Sequence, residues 1–461
     1  MPGVNENLRV AAIASPSMFG ATDRKRITMK TMDYDAVIVG GGFAGVTAAR
    51  ELTQRGVSVL LLEARDRLGG RTWTRPSELG KNLEIGGTWV HWTQPHIWAE
   101  IARYDLPLVS SPVPERGLWK VGDDIRTGPA DRLFELLDPG MSRSIDRAAE
   151  LLPHPFKFAP VSDELKALDH ISIADKITEL DLDEEQRALV EGMWGLNFNG
   201  YPTNGAYTQA LRWAALTAGN WMLLFEACAT YKLEHGTKSL LDAIAAQSTA
   251  DIRLNSQVAR IENTDDGVLV TSTDGSTVTA REVIVTLPLN ILGSIDFEPE
   301  LPQSITSVAT EGQASTGAKV WARVKGDIGR VAALGPTSCP LNFFQFEYAV
   351  EGDSLIVAFG SDASRIDVTD RNAVQDALRE WIPDIEVLAV DGYDWVADPL
   401  SGQTWPMLRP NQLDSVQTAA ATAFGHVHLA GSDYAEGWAG FMDGAIESAM
   451  KVSNRVLHAL A

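Results

Sequence analysis

The chain has 461 residues, 45% hydrophobic and 22% charged, and 61 acidic against 39 basic side chains give a formal net charge of −22. Such acidity disfavours a polyanionic partner, nucleic acid or anionic lipid, and the ordinary Gly, Pro and apolar content excludes a fibrous or low-complexity chain. Two cysteines, Cys228 and Cys339, supply neither a disulfide framework nor a Cys-based metal centre, which suits a reducing, cytoplasmic setting.

Residues 1–32 contain a short apolar stretch, 10–18, broken by Pro16 and followed rather than preceded by Arg24, Lys25 and Arg26. That order is wrong for a secretory signal, so a disordered extension is expected. Residues 33–39 read as a buried parallel strand, 44–55 as a helix and 57–62 as a second strand, together a βαβ unit. Helical periodicity with Pro punctuation dominates from 109 to 231, and the acidic run around Asp181, Asp183, Glu184 and Glu185 reads as solvated helix faces. Within it, 214–230 is expected to be a buried helix, because Asn220 and Glu226 would be costly in lipid. The texture turns to strands at 253–262, 268–272 and 282–287, with a turn at Asp274-Gly275, then at 319–324 and 354–360. A strand at 426–430, a glycine turn and a helix at 443–460 close the chain with the pattern that opened it.

Gly40-Gly41-Gly42-Phe43-Ala44-Gly45 is a G-x-G-x-x-G run between strand and helix. Gly40 allows the tight turn, Gly42 lets backbone N–H groups approach a pyrophosphate, and Gly45 lets helix and strand pack closely. Glu63, about twenty residues on, is placed to accept hydrogen bonds from a ribose 2′-OH and to repel a phosphate there. A dinucleotide is implied, with NAD and FAD both open. The following segment, Glu63-Ala64-Arg65-Asp66-Arg67-Leu68-Gly69-Gly70-Arg71, adds a second glycine pair and, in Arg67 and Arg71, positive charge suited to a buried pyrophosphate, which an NAD site does not require.

With this E-x-x-x-R-x-G-G-R extension the chain resembles the flavin monoamine oxidase family. The resemblance continues through Glu84-Ile85-Gly86-Gly87-Thr88-Trp89, Ala430-Gly431-Ser432-Asp433 and Gly437-Trp438-Ala439-Gly440-Phe441-Met442-Asp443-Gly444-Ala445, and it spans 33 to 461. It implies a mixed α/β fold: a Rossmann-like FAD-binding domain of the glutathione-reductase type (33–108, 233–294 and 403–461) interleaved with a substrate domain of mixed sheet plus helices (109–232 and 295–402). Length alone suggests about three domains, at roughly one per 150 residues. The motif order favours two.

Residue by residue, the resemblance implies FAD contacts from Gly40, Gly42, Phe43, Ala44 and Gly45, from Glu63, Ala64, Gly70 and Arg71, and from Gly87, Thr88 and Trp89 beside the flavin. It adds Val258 against adenine, Trp395 near the isoalloxazine ring, Asp433 as a ribityl or phosphate contact, and Met442 at a helix start whose dipole favours negative charge on the ring. An aromatic cage for the amine falls on Trp405 and Phe441, replacing the tyrosine pair of mammalian members. Thr404 stands where those members have a flavin-linked cysteine, so FAD is expected to be noncovalent. Lys319 matches the lysine that holds a water against flavin N5. The alternative for a lysine in that apolar strand is a stem lying along the surface with its amine in water.

The implied chemistry is hydride transfer from the α-carbon of a neutral amine, with dioxygen regenerating the cofactor and yielding hydrogen peroxide. Segments 87–92 and 393–399 look especially like bacterial oxidases of nicotine, pseudooxynicotine and cycloalkyl amines. Candidate pocket walls are Asn197, Phe198, Asn199, Gly200, Tyr201, Trp221, Met222, Phe225, Phe343 and Phe344. No metal is expected: His91 and His96 lack a ligand spacing, and His426 and His428 share a strand face without acidic partners nearby. Cys228 reads as packing. An amino-acid oxidase or a desaturase of the same superfamily, a dehydrogenase with another electron acceptor, and a noncatalytic flavin-binding module are the rival readings, although no arginine is identifiably placed for a substrate carboxylate. The expected partners are a small amine and dioxygen, without nucleic acid or membrane; a homodimer is compatible with the chain. The acidic surface is expected to help recruit ammonium-form substrates.

Overall fold

In the computed structural model, residues 32–157 and 160–461 are described, and the expected extension at 1–32 lies outside them apart from Met32. The strand Tyr34–Val39 is apolar on both faces, and Ala36 to Val39 are buried, as a central parallel strand requires. It lies between Val59–Leu62 and Thr277–Val285, parallel to both, with Val37 opposite Leu60 on one side and Val283 on the other. Asp251–Arg253 extends the sheet at one edge. An antiparallel meander of Thr277–Val285, Gly267–Ser272 and Val258–Thr264, followed by Asp296–Glu298, extends it at the other. The late strand Val427–Leu429 also joins Thr277–Val285 in parallel and pairs with Ala423–Phe424, completing a nine-stranded sheet.

That late strand carries the closing helix, Met442–Leu460, back against the first helix, Phe43–Thr53. Ile38, Val46 and Ala49 pack in one core with Ile446, Ala449 and Val452. The first helix in turn packs closely on its own strand and loop through Gly45, where a Cβ would stand 1.9 Å from the Gly40 carbonyl oxygen.

A second, seven-stranded sheet runs in the order Val387–Gly392, Ala318–Val324, Asp353–Gly360, Phe343–Val350, Val331–Leu334, Arg116–Val121 and Asp124–Pro129. It is antiparallel apart from the pairing of Val331–Leu334 with Arg116–Val121. Helices Ala130–Ser144, Glu184–Phe198, Tyr207–Ala215 and Trp221–Ala229 accompany it in the chain. The acidic run begins one of them: Asp183 caps Glu184–Phe198 in a reciprocal box with Gln186, and Glu184 and Glu185 occupy its first turn, where carboxylates complement the helix dipole. Mixed α/β architecture is therefore observed, as the resemblance implies.

Two expected elements are broken. The strand expected at 253–262 is interrupted, because Asn255 adopts φ 53° and the backbone N–H groups of Asn255 and Ser256 donate to the carbonyls of Arg65 and Glu63 rather than to a neighbouring strand. The helix expected at 214–230 divides at Ala218 and Gly219, with φ 53° and 79°, and Asn220 caps the second piece by accepting from the Leu223 N–H at 3.1 Å. Apolar composition hid that turn. Among the described residues, no helix is long and apolar enough to cross a membrane.

Candidate functional site

The first glycine loop ends against the strand that carries Glu63. Gly41 N–H donates to Glu63 Oε2 at 2.6 Å and Arg65 N–H to Oε1 at 2.8 Å, so the carboxylate is locked at the mouth of the loop. The second loop faces the first. A Cβ on Gly42 would reach 3.8 Å from the Gly69 carbonyl oxygen and 3.9 Å from Gly70 Cα, and Gly70 itself sits at φ +56°. Two bare backbones thus bound a groove that side chains would fill, and the N-terminus of Phe43–Thr53 opens onto it.

Positive charge at this groove comes from a different pair than expected. Arg71 lines the cavity and is held by the Thr404 carbonyl at 3.0 Å, Ser432 Oγ at 3.0 Å and the Asp433 carboxylate. Arg67 does not line it. Its guanidinium lies 4.5 Å over the Trp73 ring and donates to the carbonyls of Leu68, Gly70 and Thr72, bracing the loop from behind. Burial, with Arg65 nearby, lowers its pKa to about 10. Arg65 takes the second place in the lining, tied to Asp398 at 2.5 Å and Ser401 Oγ at 3.1 Å.

One cavity runs from this groove past Gly87, Thr88, Trp89, Val258, Trp395 and Met442 to Lys319, Trp405 and Phe441. Of the FAD contacts, cage residues and lysine that the resemblance implies, two stand outside it. Gly45 acts in helix packing, as above. Asp433 is spent on the protein itself: besides Arg71, it accepts from Leu289 N–H at 3.0 Å and Gln403 Nε2 at 2.8 Å, so its place in the site is to hold Arg71.

Lys319 is 6% exposed, which removes the surface alternative. Its Nζ donates to the carbonyl oxygens of Glu84 and Gly86 at 2.8 and 2.7 Å and to Thr88 Oγ1 at 2.6 Å. Burial pulls its pKa down to about 7, against the pull of Glu84. Burial likewise raises the Glu84 carboxyl, although Thr74 and Thr237 donate to it.

Beyond Lys319 the walls become aromatic. Trp405 is fixed by its indole N–H to the Asn197 carbonyl at 2.9 Å and by edge contact with Phe359, ring centres 6.3 Å apart. Phe441 is wedged between Trp213 at 5.1 Å and Trp438 at 4.9 Å. Just after it, Asp443 accepts from the backbone N–H groups of His96 and Ile97 at 2.7 and 2.9 Å, which steadies the start of the closing helix. Four expected wall residues, Asn197, Asn199, Phe225 and Phe343, line the chamber. Phe198, Gly200, Tyr201, Trp221, Met222 and Phe344 do not. Phe344 alternates to the opposite strand face and meets Trp381, Phe198 turns onto Trp194, and Trp221 donates to Asp138. Leu196, Trp213, Cys228, Gln345 and Phe359 were not anticipated.

Burial raises the Cys228 thiol to about 12, so it packs without reacting. His426 and His428 do have an acidic partner, contrary to expectation: both rings meet Glu282, at 3.0 and 2.8 Å. The residue lies on a neighbouring strand, which local sequence did not reveal. Among the described residues, no group of three or more His, Cys, Asp or Glu could hold a metal ion.

A family model described as flavin containing amine oxidoreductase matches residues 43–457. Pseudooxynicotine dehydrogenase from a Pseudomonas species is 36% identical over 94% of this chain and 88% of its own length. (S)-6-hydroxynicotine oxidase from Paenarthrobacter nicotinovorans is 33% identical over 92% of this chain and 100% of its own. Among solved structures, cyclohexylamine oxidase from Brevibacterium oxydans IH-35A superposes with a TM-score of 0.79 at 22% identity, covering 92% of this chain and 99% of that one, a likeness of fold.

Proposed function

We propose that this chain, which belongs to the flavin-containing amine oxidoreductase family, oxidises the C–N bond of a neutral, largely apolar amine to an imine or iminium that hydrolyses to a carbonyl. The observation that carries the reading is the continuity of one cavity, from a groove bounded by two glycine loops to an aromatic chamber, with a buried lysine lining it. The groove fits FAD: bare backbone, the locked Glu63 carboxylate and the guanidinium of Arg71 suit a ribose and a pyrophosphate. When bound, FAD supplies the hydride acceptor.

The chain's own residues bind, orient and dry the amine. Trp405 and Phe441 confine it, and the apolar walls around them favour its uncharged form, because an unpaired ammonium would pay heavily for leaving water. Lys319 Nζ, with its pKa about 7, holds or releases a proton near neutrality, and we assign it a water at the reacting end of the cavity. Thr404 offers no thiol for a covalent link, and its buried Oγ1 has no partner among the described residues. Acid precipitation should therefore release intact FAD; flavin retained on the protein would refute noncovalent binding.

For substrate, the nicotine-related names of the two relatives favour an amine of that kind over a simple alkylamine. One is called a dehydrogenase and the other an oxidase, and we take dioxygen as acceptor, giving hydrogen peroxide. Peroxide release over nicotine-related, cyclic and primary amines tests both parts. Oxidation of amino acids alone would overturn the amine reading, and anaerobic flavin bleaching without peroxide in air would replace dioxygen with another acceptor. The division into an FAD domain (33–108, 233–294, 403–461) and a substrate domain (109–232, 295–402) belongs to the same proposal.

A further inference from the structure

In the aromatic chamber one uncharged polar group is anchored by buried charges. Phe343 and Gln345, two residues apart on Phe343–Val350, share a strand face and both line the cavity. Gln345 is 5% exposed and Glu347, behind it, 1%. Gln345 Nε2 donates to Glu347 Oε2 at 2.9 Å. The other carboxylate oxygen accepts from Ser111 Oγ at 2.7 Å and pairs with the ammonium of Lys232, itself 3% exposed.

This arrangement removes the ambiguity of an amide. Both Glu347 oxygens accept, Oε1 from Ser111 and Lys232 and Oε2 from Gln345 Nε2, so the nitrogen end of Gln345 faces the carboxylate and the carbonyl end is the one left over. Gln345 Oε1 accepts no hydrogen bond among the described residues. Lys232 stands directly across a strand pair from Trp89, another cavity-wall residue, whose indole donates to Ser111 Oγ at 3.0 Å. The anchor is thereby built into the wall. A buried ion pair is a costly way to hold one amide, and neither Glu347 nor Lys232 lines the cavity.

We propose that Gln345 is a specificity residue whose Oε1 accepts a hydrogen bond from an N–H or O–H that the substrate carries away from its reacting carbon. The Lys232–Glu347 pair fixes the amide in that sense. The proposal rests on the amine reading above and narrows it to amines bearing a second, distal hydrogen-bond donor. Discrimination follows from desolvation: a ligand without the donor leaves a buried acceptor unpaired, whereas a donor-bearing one satisfies it.

The test uses the FAD-loaded enzyme with N-methyltyramine and N-methylphenethylamine, which differ only in a distal hydroxyl, and the same pair with a linker one methylene longer. Wild type should prefer the hydroxylated partner of at least one pair by about tenfold or more in kcat/KM. Gln345→Met and Gln345→Leu should abolish that preference through KM, with kcat and flavin content retained. Equal wild-type efficiency within both pairs, or an equal loss for both partners in the variants, would overturn the assignment. If wild type turns over none of the four, the amine reading stays with the wider amine panel above. Binding read from perturbation of the flavin absorbance then decides Gln345 separately: a wild-type preference lost in the variants sustains it, and no preference sinks it.

Discussion

The two ends of the cavity are built on different principles. At the groove, recognition is a property of backbone: Gly42 and Gly70 contribute the absence of a side chain, and Glu63 is held by the N–H groups of Gly41 and Arg65. At the chamber, recognition is a property of side chains gathered from distant places, Trp213 and Phe225 from two helices, Phe343 and Phe359 from facing strands, Trp405 and Phe441 from loops. A backbone groove tolerates almost no substitution and serves one ligand class. A chamber of packed rings tolerates repacking, so substrate range can change there while the cofactor site stays as it is.

The largest expected effect breaks that comparison at the groove. A Cβ on Gly42 meets no protein atom nearer than 3.8 Å, so Gly42→Val should fold. It would nevertheless occupy the space a pyrophosphate needs, and FAD affinity should fall about 100-fold, on the order of 3 kcal/mol for overpacking. Thermal unfolding of the apoprotein and flavin titration separate the two effects. Wild-type FAD affinity in the variant would mean that the cofactor's phosphates lie elsewhere.

Lys319 sits where the two ends meet, and the next effect is read by pH. With its pKa lowered to about 7, Nζ is protonated below that value and neutral above it. If the neutral amine is the working form, kcat/KM should rise through about pH 7, and Lys319→Met should lose that limb along with about 10²-fold in rate, the usual scale for a positioned proton-handling group. Stability carries the same signature. The unfolded lysine titrates at its ordinary 10.5, so between about 7 and 10.5 the unfolded chain binds the extra proton, and the wild-type fold gains stability as pH rises through that window. Denaturant unfolding of wild type against Lys319→Met should show that difference, largest below pH 7 and closing towards 10.5. A difference independent of pH would mean that the buried amine does not titrate there.

The contrast also explains what was legible in the sequence. Glycines 40, 42 and 45 and Glu63 lie within one βαβ unit, so their spacing alone implied a dinucleotide groove. Nothing local distinguished Arg67 from Arg71; which guanidinium faces the groove is decided by Trp73, and by Thr404, Ser432 and Asp433 far along the chain. Lys319, Trp405 and Phe441 were placed by family resemblance rather than by periodicity. Trp213 and Phe359 carried no signal, because one aromatic on a helix or strand looks the same whether it faces a cavity or the core. Gln345 was invisible for another reason: its role depends on Glu347, Ser111 and Lys232, which come together only across two sheets.

The smallest effect sharpens the chamber side. Trp405→Phe keeps an aromatic wall but loses the indole hydrogen bond to the Asn197 carbonyl and weakens the edge contact with Phe359. Edge contacts of this kind contribute about 0.5–1.5 kcal/mol, so kcat/KM should fall by about two- to tenfold. Flavin content should not change, because the groove shares none of these contacts. Loss of FAD in Trp405→Phe, as severe as in Gly42→Val, would erase the distinction between the two ends: the ring at 405 would then be part of the cofactor's seat, and substrate range could not be altered there without affecting cofactor binding.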